Sequence, residues 1–378
     1  MTRSILQAAH YQSSYAGNFV AMLSAVARVG EGHGYRSVFL LPEEVRERSW
    51  YAPLVASGQA VRFLPSRASL RQYTRAISKI AVDEDAAIVH THFTTYDVAA
   101  WAASRLLRLR GKKVGVVWHA HSEIRVRKTV LRRFKELVKY RLLGSSVRVI
   151  PCSEPVMRDL RAAGVAERNN RLIINGIDLE RATANRRAPA EVLASLALPP
   201  DEKVLLMFAW APLRKGLDLA IDAVRTLVRE GYRLALVPIG TDEMRKFISE
   251  RTNGHPFPWL RPVGPVENEA DFYQIASAFL CPSRSEGLAA AVLQAMANRL
   301  PVVHSDIPAA EWAREVPNVV LCAPNDSSSL AAAIRTVLAW SHDDRERRTA
   351  AGLALVRKEF NVETWAERCY QVYEELLG

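Results

Sequence analysis

The chain has 378 residues, 49% of them apolar and 24% charged, a globular balance that excludes a disordered or fibrous protein and suits two domains. No run approaches the length of a membrane-spanning helix, and the opening MTRSILQAAHYQSS turns polar too soon for a secretory signal, so a cytoplasmic protein is expected. The net charge of +11 points to an anionic partner such as a nucleotide, a phospholipid surface or a nucleic acid.

From the N-terminus, short apolar runs alternate with helical patterns. The runs at 4–9, 36–41, 60–64, 86–90, 113–118 and 147–151 read as buried strands, with helices at 18–29, 71–82 and 97–110 between them. Continuous apolar strands separated by helices predict a parallel sheet covered on both faces. In such sheets ligands bind beyond the carboxyl ends of the strands, so the residues after each strand are the ones to read for chemistry. After the first strand, Gly17 precedes a helix with Asn18 as a candidate cap. After the fifth, WHAHSE (118–123) places His119 and His121 at the strand end. Alternation along an extended segment predicts that one of the two faces the ligand side. A metal there would need further ligands, and none is read nearby.

From Arg125 to Arg141 the chain carries eight basic residues and one acidic residue, Glu136. Val130, Phe134, Leu137, Val138 and Leu142 give the segment 126–143 an apolar stripe flanked by basic residues. Such a helix suits an anionic membrane surface, or equally a core position with a solvated basic face. No nucleic-acid reader motif is present, so no nucleic-acid partner is expected. The cysteines at 152, 281, 322 and 369 are far apart and read as buried reduced thiols.

The stretch 185–203 holds three prolines and few large apolar residues, which marks a domain junction. A second strand–helix series follows, with strands at 203–210, 233–239, 277–281, 300–303 and 318–322. After the first of these, Arg214, Lys215 and Gly216 stand where a loop enters a helix. They suit a phosphate, or they are solvated cations closing a loop. Gly240 ends the next strand, as a close approach to a ligand or as a plain turn. After 277–281 come Pro282, Ser283, Glu286 and Gly287. Glu286 reads as a carboxylate at a helix start or as an acceptor for sugar hydroxyls. The amides of Leu288, Ala289 and Ala290 are expected to point at the same space and to hold a diphosphate. Gln294, taken to lie on the same helix as Glu286, falls about 12 Å further along at 1.5 Å rise per residue, the reach from a sugar to a ribose. At the tail, Val362, Trp365, Cys369, Val372 and Leu376 share one helical face that must pack on something, the first domain being the candidate.

The pieces KGLDLAIDAV (215–224), PSRSEGLAAAVLQAMANRLPVV (282–303) and FNVETWAERCYQVYEELL (360–377), with CSEPVMRDLRAAGV (152–165) and INGIDLERA (174–182), resemble the retaining glycosyltransferases of family 4 over nearly the whole chain. The resemblance implies the GT-B fold, an α/β architecture of two Rossmann-like doubly wound domains facing a central cleft. It assigns residues 1–182 to acceptor binding and 183–359 to the nucleotide-sugar, with a helix at 360–378 packing back on the N-terminal domain. It implies transfer of a sugar from a UDP- or GDP-linked donor to an acceptor hydroxyl with retention, and needs neither metal nor cofactor. The setting it implies is cell-surface polysaccharide or glycolipid assembly, at the inner face of the cell membrane through residues 125–143.

Residue by residue, Glu286 matches the family's sugar-binding carboxylate and Lys215 its phosphate-binding lysine, while His121 matches its cleft histidine. Gln294 stands for the ribose-binding glutamate and Trp210 for an arginine whose charge Arg214 is placed to supply. Ala289 replaces a glycine but keeps its amide. Gly17, Gly240, Val263, Gly287, Leu288 and Ala290 complete the donor set, with base selection left to backbone near Val263 and Gly264. The same fold also admits a small natural-product acceptor, a nucleotide-sugar 2-epimerase, or a partner subunit weakened at Gln294 and Trp210.

Overall fold

The computed structural model describes residues 3–13, 17–56, 58–121 and 136–378. The chain forms two compact units, Met1–Gly176 with Asn361–Gly378, and Ile177–Phe360.

The first unit holds six parallel strands: β1 (Ser4–Ala9), β2 (Arg36–Pro42), β3 (Ala60–Leu64), β4 (Ala86–His92), β5 (Gly115–Ala120) and β6 (Arg148–Pro151). Their order is β3-β2-β1-β4-β5-β6. The strands thus run outward in opposite directions from β1 and β4, which makes that junction the switch point of the sheet. Every residue of β1 and β4 is buried, as expected of central strands covered on both faces, including the polar Ser4, Gln7, His90, Thr91 and His92. Strand β4 runs two residues past the expected end at 90, to His92, and in the β4–β5 register His92 stands opposite His119.

The last helix, Val362–Leu377, belongs to this first unit. Asn361 starts it by accepting a hydrogen bond from the Thr364 amide at 2.7 Å. Its stripe of Val362, Trp365, Cys369, Tyr370, Val372 and Tyr373 joins a core cluster with Ile5, Ile88 and Val117. The fit depends on missing side chains opposite it. A Cβ at Gly30 would stand 2.1 Å from the Tyr370 hydroxyl, and one at Gly115 would stand 2.7 Å from Leu376 Cδ2.

The second unit holds five parallel strands: β7 (Lys203–Phe208), β8 (Leu234–Ile239), β9 (Ala278–Cys281), β10 (Val302–Ser305) and β11 (Val319–Cys322), in the order β11-β10-β9-β7-β8. The chain passes between units at Gly176–Ile177, six residues before the 182–183 boundary read from the sequence. The reason is local: the Ile177 amide already donates to the Phe360 carbonyl at 2.7 Å, while Gly176 packs its Cα against Asn361.

The basic segment 125–143 lies largely outside the described residues. In its described part, Val138–Leu143 is wound with wide π-type hydrogen bonding rather than as a regular α-helix. Leu137 and Leu142 are exposed there and Tyr140 is buried. Lys139 turns inward to the buried Asp97 at 2.6 Å, so it is not part of a solvated basic face. No described helix is long and apolar enough to cross a membrane. All four cysteines are buried and none is in a disulfide.

Candidate functional site

In the second unit two loops meet, one after β7 and one after β9. Gly216 lets them do so. Its φ is +71°, and a Cβ on it would stand 2.0 Å from the Pro282 carbonyl oxygen, so only glycine allows this contact. Arg284 fastens the same seam. Its amide donates to the Arg214 carbonyl at 2.8 Å, and its guanidinium makes a two-pronged pair with Asp218 at 2.9 and 2.7 Å.

The seam brings Lys215 to Glu286. Lys215 Nζ lies 2.6 Å from Glu286 Oε1, with both side chains 7% exposed. Ser283 Oγ donates to the same oxygen at 2.6 Å. Arg214 Nη1 approaches Glu286 Oε2 at 3.7 Å and donates to the Ser285 carbonyl at 3.2 Å. The Lys215 ammonium also sits 4.2 Å from the centre of the Trp210 ring. Trp210 therefore contributes an aromatic face to the lysine at the position where the resemblance expects a cation. A buried pair of this kind holds only while each charge keeps its partners.

The sequence reading needs correction at the next helix. It begins at Ala290, not at Glu286, so Glu286 lies in the preceding loop and Gln294 in the second turn of Ala290–Ala297. Helical rise of about 6 Å applies only from Ala290 to Gln294, so the reach of about 12 Å from Glu286 does not follow from helix geometry. The Ala290 amide is already bonded to the Leu288 carbonyl at 3.0 Å. The amides of Leu288 and Ala289 have no acceptor among the described residues, which leaves two donors of the expected three beside Gly287. Gly240 is tied to Val263 by an N–H to carbonyl bond of 3.0 Å, and a Cβ on it would stand 3.0 Å from the Ala209 carbonyl oxygen. The protein's own backbone thus accounts for glycine there.

Gln294 is not free. Its amide donates to Glu269 Oε2 at 2.9 Å, and its oxygen faces the Tyr273 hydroxyl at 3.3 Å. Tyr273, Phe208 and Trp210 form a run of ring contacts at 5.7 and 6.3 Å that joins this group to Lys215.

In the first unit, Gly17 (φ +56°) opens the helix Gly17–Gly32, and the Asn18 amide donates to the Gly176 carbonyl instead of capping the helix. At the ends of β4 and β5 stand four histidines, two of which sequence reasoning missed. His119 and His121 are two residues apart and share one side, their rings stacked at 4.0 Å. The expectation that one of them faces away is therefore wrong, because residues i and i+2 of a strand line the same face. His90 and His92 join them from β4.

The hydrogen bonds run in one direction. Asn175 donates to His121 Nδ1 at 3.3 Å, His121 Nε2 donates to His92 Nδ1 at 2.9 Å, and His92 Nε2 donates to Gln7 Oε1 at 2.9 Å. Gln7 Nε2 then donates to the Tyr373 hydroxyl at 3.2 Å, and that hydroxyl donates to His90 Nδ1 at 2.5 Å. Both nitrogens of His121 are thus engaged within the protein. Burial drives its pKa down to about 3 and holds those of His90, His92 and His119 well below the ordinary imidazole value. At neutral pH the cluster is uncharged.

Ring nitrogens of His90, His92 and His119 lie within 4.8 Å of one another, the spacing a metal ion could bridge. The donor set fits poorly. His92 has both nitrogens in hydrogen bonds, the His90 and His119 rings are stacked 7° from parallel, and among the described residues no carboxylate joins the group. The triplet Asp83–Glu84–Asp85 lies before the start of β4, with Asp83 paired to Lys79, Glu84 to Arg36 and Arg62, and Asp85 to Lys112.

Two family descriptions match the sequence, Glycosyltransferase Family 4 over residues 26–181 and Glycosyl transferases group 1 over residues 202–339. The lipopolysaccharide core biosynthesis mannosyltransferase LpsB of Rhizobium meliloti is 27% identical over 285 residues, 69% of this chain and 80% of LpsB. The two matches and the relatives together make the chain a family-4-like glycosyltransferase. A putative teichuronic acid biosynthesis glycosyltransferase of Bacillus subtilis, TuaC, is 24% identical over 65% of this glycosyltransferase and 60% of its own length. Among solved structures, a Rickettsia africae glycosyltransferase superposes with a TM-score of 0.84 at 14% identity over 100% of this chain and 99% of its own. Anabaena HepE in complex with UDP gives 0.80 at 17% identity over 99% of this chain and 100% of its own. The glycosyltransferase thus has the GT-B fold named by the sequence resemblance.

Proposed function

We propose that the protein is a retaining, metal-independent glycosyltransferase that moves a hexosyl group from a UDP- or GDP-linked donor to an acceptor hydroxyl in cell-surface polysaccharide or glycolipid assembly. The observation that carries this reading is the buried Lys215–Glu286 pair with Arg214 against it, followed in the chain by the Leu288 and Ala289 amides, which have no acceptor among the described residues. A diphosphate takes up cations and backbone N–H groups of this kind, and a sugar hydroxyl takes up the carboxylate so released.

In this mechanism the bond from the anomeric carbon to the diphosphate oxygen breaks while the acceptor oxygen bonds to the same face of that carbon. The acceptor proton passes to a leaving phosphate oxygen. Lys215, Arg214 and the Leu288 and Ala289 amides stabilise the charge growing on the diphosphate, and Glu286 fixes the sugar. His121, with both ring nitrogens engaged inside the first unit and uncharged at neutral pH, is given no role as a base. LpsB and TuaC are named for polysaccharide-building reactions, which favours that setting over a small natural-product acceptor.

A thermal-shift panel of UDP, GDP, ADP and their sugars tests the reading, because a ligand of the folded state raises its melting temperature. Stabilisation by one nucleoside diphosphate and transfer with retained configuration, read from the product's anomeric proton, are the expected results. Release of a free epimerised sugar nucleotide would replace the proposal with the epimerase.

A further inference from the structure

The group around Gln294 carries a second assignment, which rests on the donor reading above. The orientation of the Gln294 amide is fixed by chemistry. Glu269 is a carboxylate and accepts only, so the side of Gln294 facing it at 2.9 Å must be the NH2 group. The Gln294 oxygen is thereby turned to the Tyr273 hydroxyl at 3.3 Å, whose single proton goes to the nearer Ala291 carbonyl at 2.9 Å. Tyr273 is fully buried and anchors the arrangement from beneath. Glu269 is partly exposed, and its second oxygen has no partner among the described residues. The pair stands at the carboxyl end of β7, joined through Tyr273, Phe208 and Trp210 to the proposed phosphate cation, Lys215.

We propose that Glu269 is the residue that binds the vicinal hydroxyls of the donor's ribose, and that Gln294 is a positioning residue acting through it. A diol offers two O–H donors, and a carboxylate can accept both in charge-assisted bonds, whereas the Gln294 oxygen is a single uncharged acceptor whose amide group is held on Glu269. The negative charge lost when glutamine occupies position 294 is supplied from the neighbouring loop, with glutamine as the partner that can hold it without repulsion.

The assignment makes a directional prediction. Gln294→Glu would set a second carboxylate against the first, so it should weaken binding of the nucleoside diphosphate at neutral pH. The test measures dissociation constants for UDP and GDP against their 2′-deoxy counterparts by calorimetry, with folding checked by thermal unfolding. The unmodified protein should prefer the ribonucleotide by about tenfold or more, the size of a charge-assisted hydrogen bond. Glu269→Gln should reduce that preference to about threefold or less while diphosphate binding persists. The exchange Glu269→Gln with Gln294→Glu should restore much of it, because amide and carboxylate trade places, which a merely structural role would not produce. Full discrimination in Glu269→Gln, or tighter UDP or GDP binding in Gln294→Glu alone, would overturn the assignment and leave the transferase reading standing. If no nucleoside diphosphate binds the unmodified protein, both fall.

Discussion

A Cβ placed on Gly216 would stand 2.0 Å from the carbonyl oxygen of Pro282. The contact joins the loop that carries Lys215 to the loop that carries Glu286, so a methyl group there pries the ion pair apart. Gly216→Ala also strains a backbone held at φ +71°. We expect a loss of about 1–3 kcal/mol of stability and a fall in donor affinity at least as large as that of Arg214→Ala. Urea unfolding and nucleotide titration of the two variants check this, and unchanged donor binding in Gly216→Ala would contradict it.

Lys215→Ala and Glu286→Ala should each lower kcat/KM about 100- to 1000-fold, the usual cost of removing one stabilising group from a transition state. Because the two side chains touch at 2.6 Å, the double variant should lose far less than the product of the single effects. Steady-state kinetics on the three variants decides, and near-normal rates in either single variant would remove these residues from the site.

The stability of the protein should fall on acidification. His90, His92, His119 and His121 have folded-state pKa values held below the unfolded value, His121 at about 3. The unfolded chain therefore takes up protons first as pH drops through about 6.5. The contribution is complete above that pH and declines below it, by up to about 1.4 kcal/mol per pH unit for each histidine. His119→Phe removes one titrating ring whose nitrogens have no partner, so it should flatten the decline. Urea midpoints measured from neutral pH into the acid range test this, and parallel curves for the two proteins would refute it.

Trp365 is fully buried and stacks on His119 with centroids 5.7 Å apart. Trp365→Ala should cost about 3–5 kcal/mol, the range for emptying an aromatic site in a core. The loss should appear in hydrogen exchange of β1, β4 and β5, with the strands of the second unit protected as before. Uniform loss of protection in both units would show that they unfold as one.

If residues 125–143 meet an anionic membrane, the exposed Leu137 and Leu142 belong to the contact. Changing both to Asp should abolish co-sedimentation with phosphatidylglycerol vesicles, and added salt should weaken binding of the unmodified protein. Equal recovery of both proteins with the vesicles would exclude these leucines.

The strands were legible because both-face burial leaves an unbroken apolar run, and all eleven described strands overlap the runs read from the sequence. Lys215 and Glu286 were legible as residues after strands, but their contact was not. It is set by Gly216 against Pro282 and by Arg284 on Asp218, pairs 66 residues or more apart. His92 was missed because the strand was ended at His90. The alternating His-Thr-His and His-Ala-His would have exposed the cluster once β4 was set beside β5, which only the sheet order shows. The helix start was misplaced for a local reason: the small residues after Gly287 suit a helix, yet the Ala290 amide first closes a turn on Leu288. Glu269 gave no signal, since its meaning comes from Gln294, 25 residues away.

The final helix completes the first unit, although residues 177–360 intervene. During translation, the sheet that begins at Ser4 must wait with Ile5, Ile88 and Val117 uncovered until Val362–Leu377 has emerged. The second unit, contiguous in the chain, can close its interior earlier. The order of synthesis and the order of folding are therefore reversed, and a chain arrested near residue 360 would hold one finished unit and one with an apolar face open to chaperones.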